Sequence, residues 1–195
     1  MSHQGDTAGD GPSQPTAWRR RRRCGRRPAE AAAGRPAAGT LPLVRVHELG
    51  HVVLYVRDLE RSRRFYGEVL GWQEIRGDVP LGVPAAAFSS GRSHHELLLI
   101  EVGHAATPIP GGRRVGLYHI GLKVGDSDDE LREVVRHLAE HDVPIRGASD
   151  HTVTHSLYIE DPDGNELELY VDVLPPERWR DDPSAVFAPI RPLRL

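Results

Sequence analysis

The chain has 195 residues, 38% hydrophobic and 27% charged, a length and balance that suit one domain of ordinary size or two small modules sharing a core. No apolar run approaches the roughly 18 residues of a membrane span, the N-terminus lacks the apolar stretch of a secretory signal, and the single cysteine, Cys24, excludes an internal disulfide framework; a cytoplasmic protein with no membrane attachment is expected. The net charge of −3 conceals an asymmetry, because residues 1–40 carry eight Arg against three acidic residues and the remainder carries 17 basic against 25 acidic residues, which argues against nucleic-acid binding through the folded region.

Residues 1–40, with Gly, Pro, Ser and Ala spread around Trp18 and the run Arg19 to Arg23, have the composition of a disordered basic tail. Its arginines suit either an arm for an anionic surface or a plain solvated extension. Residues 41–175 are organised by an internal repeat, with modules at about 47–103 and 115–173. Gly50-His51-Val52-Val53-Leu54-Tyr55-Val56-Arg57-Asp58 matches Tyr118-His119-Ile120-Gly121-Leu122-Lys123-Val124-Gly125-Asp126 at an offset of 68. Both segments alternate as strands, and each is followed by helical spacing: Leu59, Phe65, Tyr66, Val69 and Leu70 in the first, Leu131, Val134, Val135 and Leu138 in the second. Beyond the helices the offset becomes 70, pairing Ile75-Arg76-Gly77 with Ile145-Arg146-Gly147, Phe88 with Tyr158, and Glu96-Leu97 with Glu166-Leu167. Each module therefore reads strand, helix, three strands, with Asp161-Pro162-Asp163-Gly164 as a tight turn before the last strand. The expected fold is α+β, two βαβββ modules paired into one curved sheet enclosing a metal cleft, followed by an extension at 176–195 that wraps the outside or lengthens an edge.

Alternation decides which side chains enter that cleft. His51, Val53 and Tyr55 share one face of the first strand, opposite the apolar face of Val52, Leu54 and Val56. His119, Gly121 and Lys123 do the same in the second module, and in the last strand Glu166, Glu168 and Tyr170 alternate with Leu167, Leu169 and Val171. Two histidines at equivalent positions of a repeat, joined by a carboxylate, form a donor set suited to Fe(II) with open coordination positions. The counterpart of Glu168 in the first module is Leu98, which cannot bind metal, so the expected ligands are His51, His119 and Glu168 alone.

On these residues, roughly 47–175 resemble the vicinal oxygen chelate superfamily, which includes glyoxalase I, fosfomycin-resistance and bleomycin-binding proteins and extradiol dioxygenases, and within it most resemble the catechol 2,3-dioxygenase type. The resemblance implies Fe(II), or in some members Mn(II), on His51, His119 and Glu168. It implies a small aromatic diol and O2 as substrates, extradiol ring cleavage, and a place in aromatic catabolism. The pair His94-His95 stands where that type carries an acid-base histidine, with His95 the better motif match although strict alternation from Leu98 favours His94. His151 and Tyr158 match the histidine and tyrosine near the metal carboxylate, with His155 the alternative to His151. Val53, Leu98 and Phe88 are expected to shape the substrate pocket, and a homo-oligomer is compatible with the fold. Two rival readings share that fold: a glyoxalase-like metal-dependent isomerase or transferase, which wants a fourth protein ligand where Leu98 stands, and a non-catalytic drug- or metabolite-binding resistance protein.

Overall fold

Strand β1, Val52–Val56, opens the first module, and its last turn delivers Asp58, whose carboxylate accepts the Arg61 N–H at 2.9 Å and caps helix α1, Leu59–Arg64. The chain is described here by a computed structural model over residues 44–76 and 82–195; the basic tail 1–40, and Gly77 of the repeat match, lie outside the described residues. Helix α1 runs on as one π-turn, Phe65–Val69, closed by the Leu70 N–H donating to the Phe65 carbonyl at 3.0 Å. Strands β2 (Gln73–Ile75), β3 (Ala85–Ser89) and β4 (Leu97–Glu101) complete the module. The second module repeats this with β5 (His119–Gly125), α2 (Asp128–Glu140), β6 (Gly147–Asp150), β7 (Thr154–Glu160) and β8 (Glu166–Asp172). Helix α2 starts on a reciprocal cap: Ser127 Oγ accepts the Glu130 N–H at 3.3 Å, while Glu130 Oε2 accepts the Asp126 N–H at 2.8 Å.

The α+β architecture of two βαβββ modules follows the expectation, with one refinement. The strands form two sheets, β1-β4-β3-β2 and β5-β8-β7-β6-β9, rather than one continuous ladder, because β1 and β5 each end their sheet and do not pair with one another. The repeat is exact in register: Val52 lies opposite Leu97 in the parallel β1–β4 pair as Ile120 lies opposite Leu167 in the parallel β5–β8 pair. Beyond β8, helix α3 (Pro176–Asp181) begins with a proline, whose missing N–H costs nothing in a first helical turn. A 3-10 turn, Pro183–Phe187, follows, and the short β9, Arg191–Pro192, adds to the β6 edge at Ser149 and Asp150. The extension thus lengthens an edge.

One apolar core is shared by the helix-facing sides of both sheets, with Leu54, Val56, Phe88, Leu97 and Leu99 from the first and Leu138, Ile159, Leu167 and Leu169 from the second. The modules are also tied by a buried polar contact. Tyr66, 1% exposed, donates its hydroxyl to Asp161 Oδ2 at 2.9 Å, and Asp161 in turn accepts the backbone N–H groups of Asp163 and Asn165 at 2.9 and 2.8 Å. Burial, then the Asp161 charge, pushes the Tyr66 phenol well above its ordinary range, so it stays a donor. The Asp161–Gly164 turn closes with the Gly164 N–H on the Asp161 carbonyl at 3.0 Å and Gly164 at φ +88°, a backbone that disfavours any side chain. Tyr66→Phe keeps the ring and removes the donor to a buried carboxylate, and is expected to lower stability by about 1.5–3 kcal/mol, read as a lower denaturant midpoint at unchanged slope.

Candidate active site

The face of the second sheet turned away from α2 gathers the polar residues. In the parallel β5–β8 ladder His119 lies opposite Glu166 and Gly121 opposite Glu168, while antiparallel β7 sets Tyr158 beside Glu168. Strand parity thus puts one imidazole, two carboxylates and a phenol on one surface. The His119 ring lies between the carboxylates, Nδ1 3.3 Å from Glu166 Oε1 and Nε2 3.1 Å from Glu168 Oε2. Tyr158 donates its hydroxyl to Glu168 Oε1 at 3.3 Å and meets His151 Nε2 at 2.7 Å. Burial, followed by the Glu168 charge, pushes the Tyr158 phenol up to about 12, which keeps its proton in place near neutral pH.

His151 reaches this surface through the turn after β6. Its N–H donates to the Thr154 carbonyl at 2.9 Å, and Thr152 takes φ +71°, supported by its own N–H on Asp150 Oδ1 at 2.7 Å. His155, the sequence alternative, points the other way. It sits one residue out of phase with Ser156 and Tyr158, and its Nδ1 meets Asp128 Oδ1 at 2.6 Å on the first turn of α2.

The first module presents a corresponding surface with different chemistry. His51 precedes β1 and packs against His95 with the ring planes tilted by 39° and centroids 4.6 Å apart, and His95 in turn packs on His94 at 4.5 Å. Residues 94–96 lie before β4 begins at Leu97, so the alternation drawn from Leu98 does not extend to them. Loss of hydration, then the neighbouring His94 and His51, holds the His95 imidazole below its ordinary range. Leu98 stands opposite Val53, the counterpart of Glu168 opposite Gly121. Val53 and Tyr55 are exposed at 45% and 70%. Phe88 corrects the expectation that it shapes the pocket: it pairs with Leu97 on the helix-facing side, is 1% exposed, and packs on Tyr66.

Among the described residues no group of three or more His, Cys, Asp or Glu side chains is gathered closely enough to hold a metal ion. His119 and Glu168 fit two ligand positions, a neutral ring nitrogen and a carboxylate oxygen converging from adjacent strands. His51, just ahead of β1 at the edge of the other sheet, is not drawn into that group. Glu166 was visible to strand parity as a cleft-facing carboxylate, but its contact with His119 depends on the β5–β8 register, which no local pattern encodes.

The family model described as Glyoxalase/Bleomycin resistance protein/Dioxygenase superfamily matches residues 48–169. A catechol-2,3-dioxygenase from Bacillus subtilis (strain 168) is 34% identical over 140 residues, 70% of this chain and 46% of that protein. Biphenyl-2,3-diol 1,2-dioxygenase 3 from Rhodococcus globerulus is 31% identical over 64% of this chain and 63% of its own length, so the chain spans less than two thirds of either dioxygenase. A probable lactoylglutathione lyase from Synechocystis sp. is 30% identical over 61% of this chain and 91% of its own. Among solved structures, a glyoxalase/dioxygenase from Nostoc punctiforme superposes with a TM-score of 0.56 at 22% identity, over 69% of this chain and 100% of that one, a likeness of fold.

Proposed function

Because the chain belongs to the Glyoxalase/Bleomycin resistance protein/Dioxygenase superfamily, we propose that it is an Fe(II)-dependent extradiol dioxygenase of the catechol 2,3 type. The observation that carries this reading is the Glu168 carboxylate, met by His119 on one oxygen and by Tyr158 on the other, with His151 behind Tyr158. A site built only to polarise a carbonyl has no need of a phenol and a second imidazole beside its carboxylate. Leu98 further disfavours a glyoxalase-like site with a fourth protein ligand, the reading that the lyase relative would suggest.

In this proposal His51, His119 and Glu168 hold the metal. Fe(II), or Mn(II), bound there supplies Lewis acidity to orient both diol oxygens and a redox centre for O2. Tyr158, whose proton is firmly held, donates a hydrogen bond to the substrate oxygen nearest Glu168, and His151 fixes the direction of that hydroxyl. His95, with its ring against His51, takes up and returns the proton of the second diol oxygen. Val53 and Leu98, adjacent on the first sheet, supply apolar contact for the ring. Since β1 and β5 each end a sheet, the triad closes when those edges meet, within one chain or, in a homo-oligomer, between two copies. No described helix is long and apolar enough to cross a membrane, and a cytoplasmic location goes with a small diffusible diol as substrate.

With Fe(II) under reducing conditions, the protein is expected to consume O2 with at least one member of a catechol panel and to release a yellow ring-opened semialdehyde. A metal-loaded sample that takes up no O2 with any catechol would defeat the proposal and favour the isomerase or binding-protein reading.

A further inference from the structure

Glu166 has no task in the mechanism above, yet it is the group that touches the far nitrogen of His119. Two carboxylates two residues apart on β8 straddle one imidazole, Glu166 at Nδ1 (3.3 Å) and Glu168 at Nε2 (3.1 Å). The Nδ1 contact has hydrogen-bond geometry, whereas the Nε2 contact is a close approach of ring and carboxylate. A neutral imidazole carries a single N–H, so the carboxylate that accepts it decides which nitrogen keeps a free lone pair.

The repeat provides an internal control. Glu96 is the counterpart of Glu166, one residue ahead of Leu97 as Glu166 is ahead of Leu167. Its carboxylate is occupied elsewhere, accepting from the Ser90 N–H at 2.7 Å, Ser90 Oγ at 2.9 Å and Arg92 Nε at 2.8 Å. His51 has the His95 ring beside it instead. Among the described residues the only ion-pair partner of Glu166 is His119. Only in the second module, then, is this carboxylate left to serve the histidine.

We propose that Glu166 is a positioning residue: its carboxylate accepts the Nδ1–H of His119, fixes that tautomer, and leaves the Nε2 lone pair beside Glu168 to coordinate a divalent cation. The role rests on the reading of His119 as a metal ligand. A carboxylate on the opposite nitrogen also makes the ring a better donor and restricts its rotation.

The test uses the full chain with Glu166→Ala and Glu166→Gln, because glutamine keeps a carbonyl oxygen able to accept the same N–H. Nitrogen-15 NMR of the metal-free protein, above the pH range in which imidazole protonates, reads the tautomer without any activity. Titration with Co(II) then reads affinity. The expected result is an Nδ1–H tautomer at His119 in the unchanged chain and in Glu166→Gln. Glu166→Ala should lose that tautomer and bind Co(II) about 10- to 100-fold more weakly, with Glu166→Gln close to the unchanged chain. An unaltered tautomer in Glu166→Ala, or Co(II) affinity within about twofold of the unchanged chain, overturns the role. If the unchanged chain takes up Co(II) and His119→Ala does not, that failure belongs to Glu166 alone. If the unchanged chain takes up none, the metal reading of the whole site falls and this role falls with it.

Discussion

His119→Ala is expected to strip the protein of its metal and with it all O2 uptake, a loss larger than the ~10–100-fold in affinity that removal of an outer-lying partner costs. His119 touches both carboxylates of the site, so its removal leaves Glu166 and Glu168 facing each other without the ring that separates them. Two like charges brought together without a counter-charge repel, and a lone Glu168 from this sheet holds a divalent ion poorly. The measurement is metal content after dialysis, with circular dichroism to show that the partly exposed substitution leaves the fold intact. Glu168→Gln should behave similarly, since it removes the anionic ligand while keeping the acceptor for Tyr158. His51 is the discriminating position because it stands just ahead of β1, at the edge of the other sheet. If His51→Ala and Glu168→Gln both retain stoichiometric metal, the triad is wrong. If each loses metal alone but a co-purified mixed assembly regains it, the edges that meet belong to two copies; a mixture as poor as its parts places the closure within one chain.

Much of this arrangement is written in periodicities that survive without knowledge of the fold. The alternation Val52 to Val56 appears as Leu54 and Val56 at 7% and 0% exposure against Val53 and Tyr55 at 45% and 70%. The change of offset from 68 to 70 falls around the helices, whose N-caps Asp58 and Ser127 are already 69 apart and whose last residues Val69 and Glu140 are 71 apart. Other features need a partner strand to be seen. Phe88 reads as the match of Tyr158 along the chain, yet its pairing with Leu97 sends it to the core, while Tyr158, opposite Glu168, faces the site. The choice between His151 and His155 turns on the left-handed Thr152, and threonine is not a residue whose presence announces φ above zero. In the structure β1 and β5 do not pair and His51 stays apart from the His119–Glu168 pair; the approach proposed for it depends on how two sheet edges meet, which nothing local to either strand specifies.

The second large effect is expected at His95. His95→Phe keeps a flat ring against His51 and removes the only feature a proton can use, so metal content should stay near that of the unchanged chain while turnover falls by roughly 10²-fold or more. Placement supports this. Of the adjacent pair, His95 packs on His51, while His94 is exposed and meets His95. Loss of hydration, then His94 and His51, holds the His95 imidazole below its ordinary range, a direction that favours the neutral ring able to accept a proton from a bound diol. His94→Phe serves as the control: it removes the ring whose Nδ1 lies 2.5 Å from His95 Nδ1 and leaves the His95 ring against His51, so a loss of less than about tenfold is expected. Steady-state O2 uptake at saturating catechol, with iron quantified in the same samples, separates the two. A His95→Phe protein that turns over at the unchanged rate would remove the residue from the mechanism; if His94→Phe then shows the large loss, the proton passes through His94, the other member of the pair.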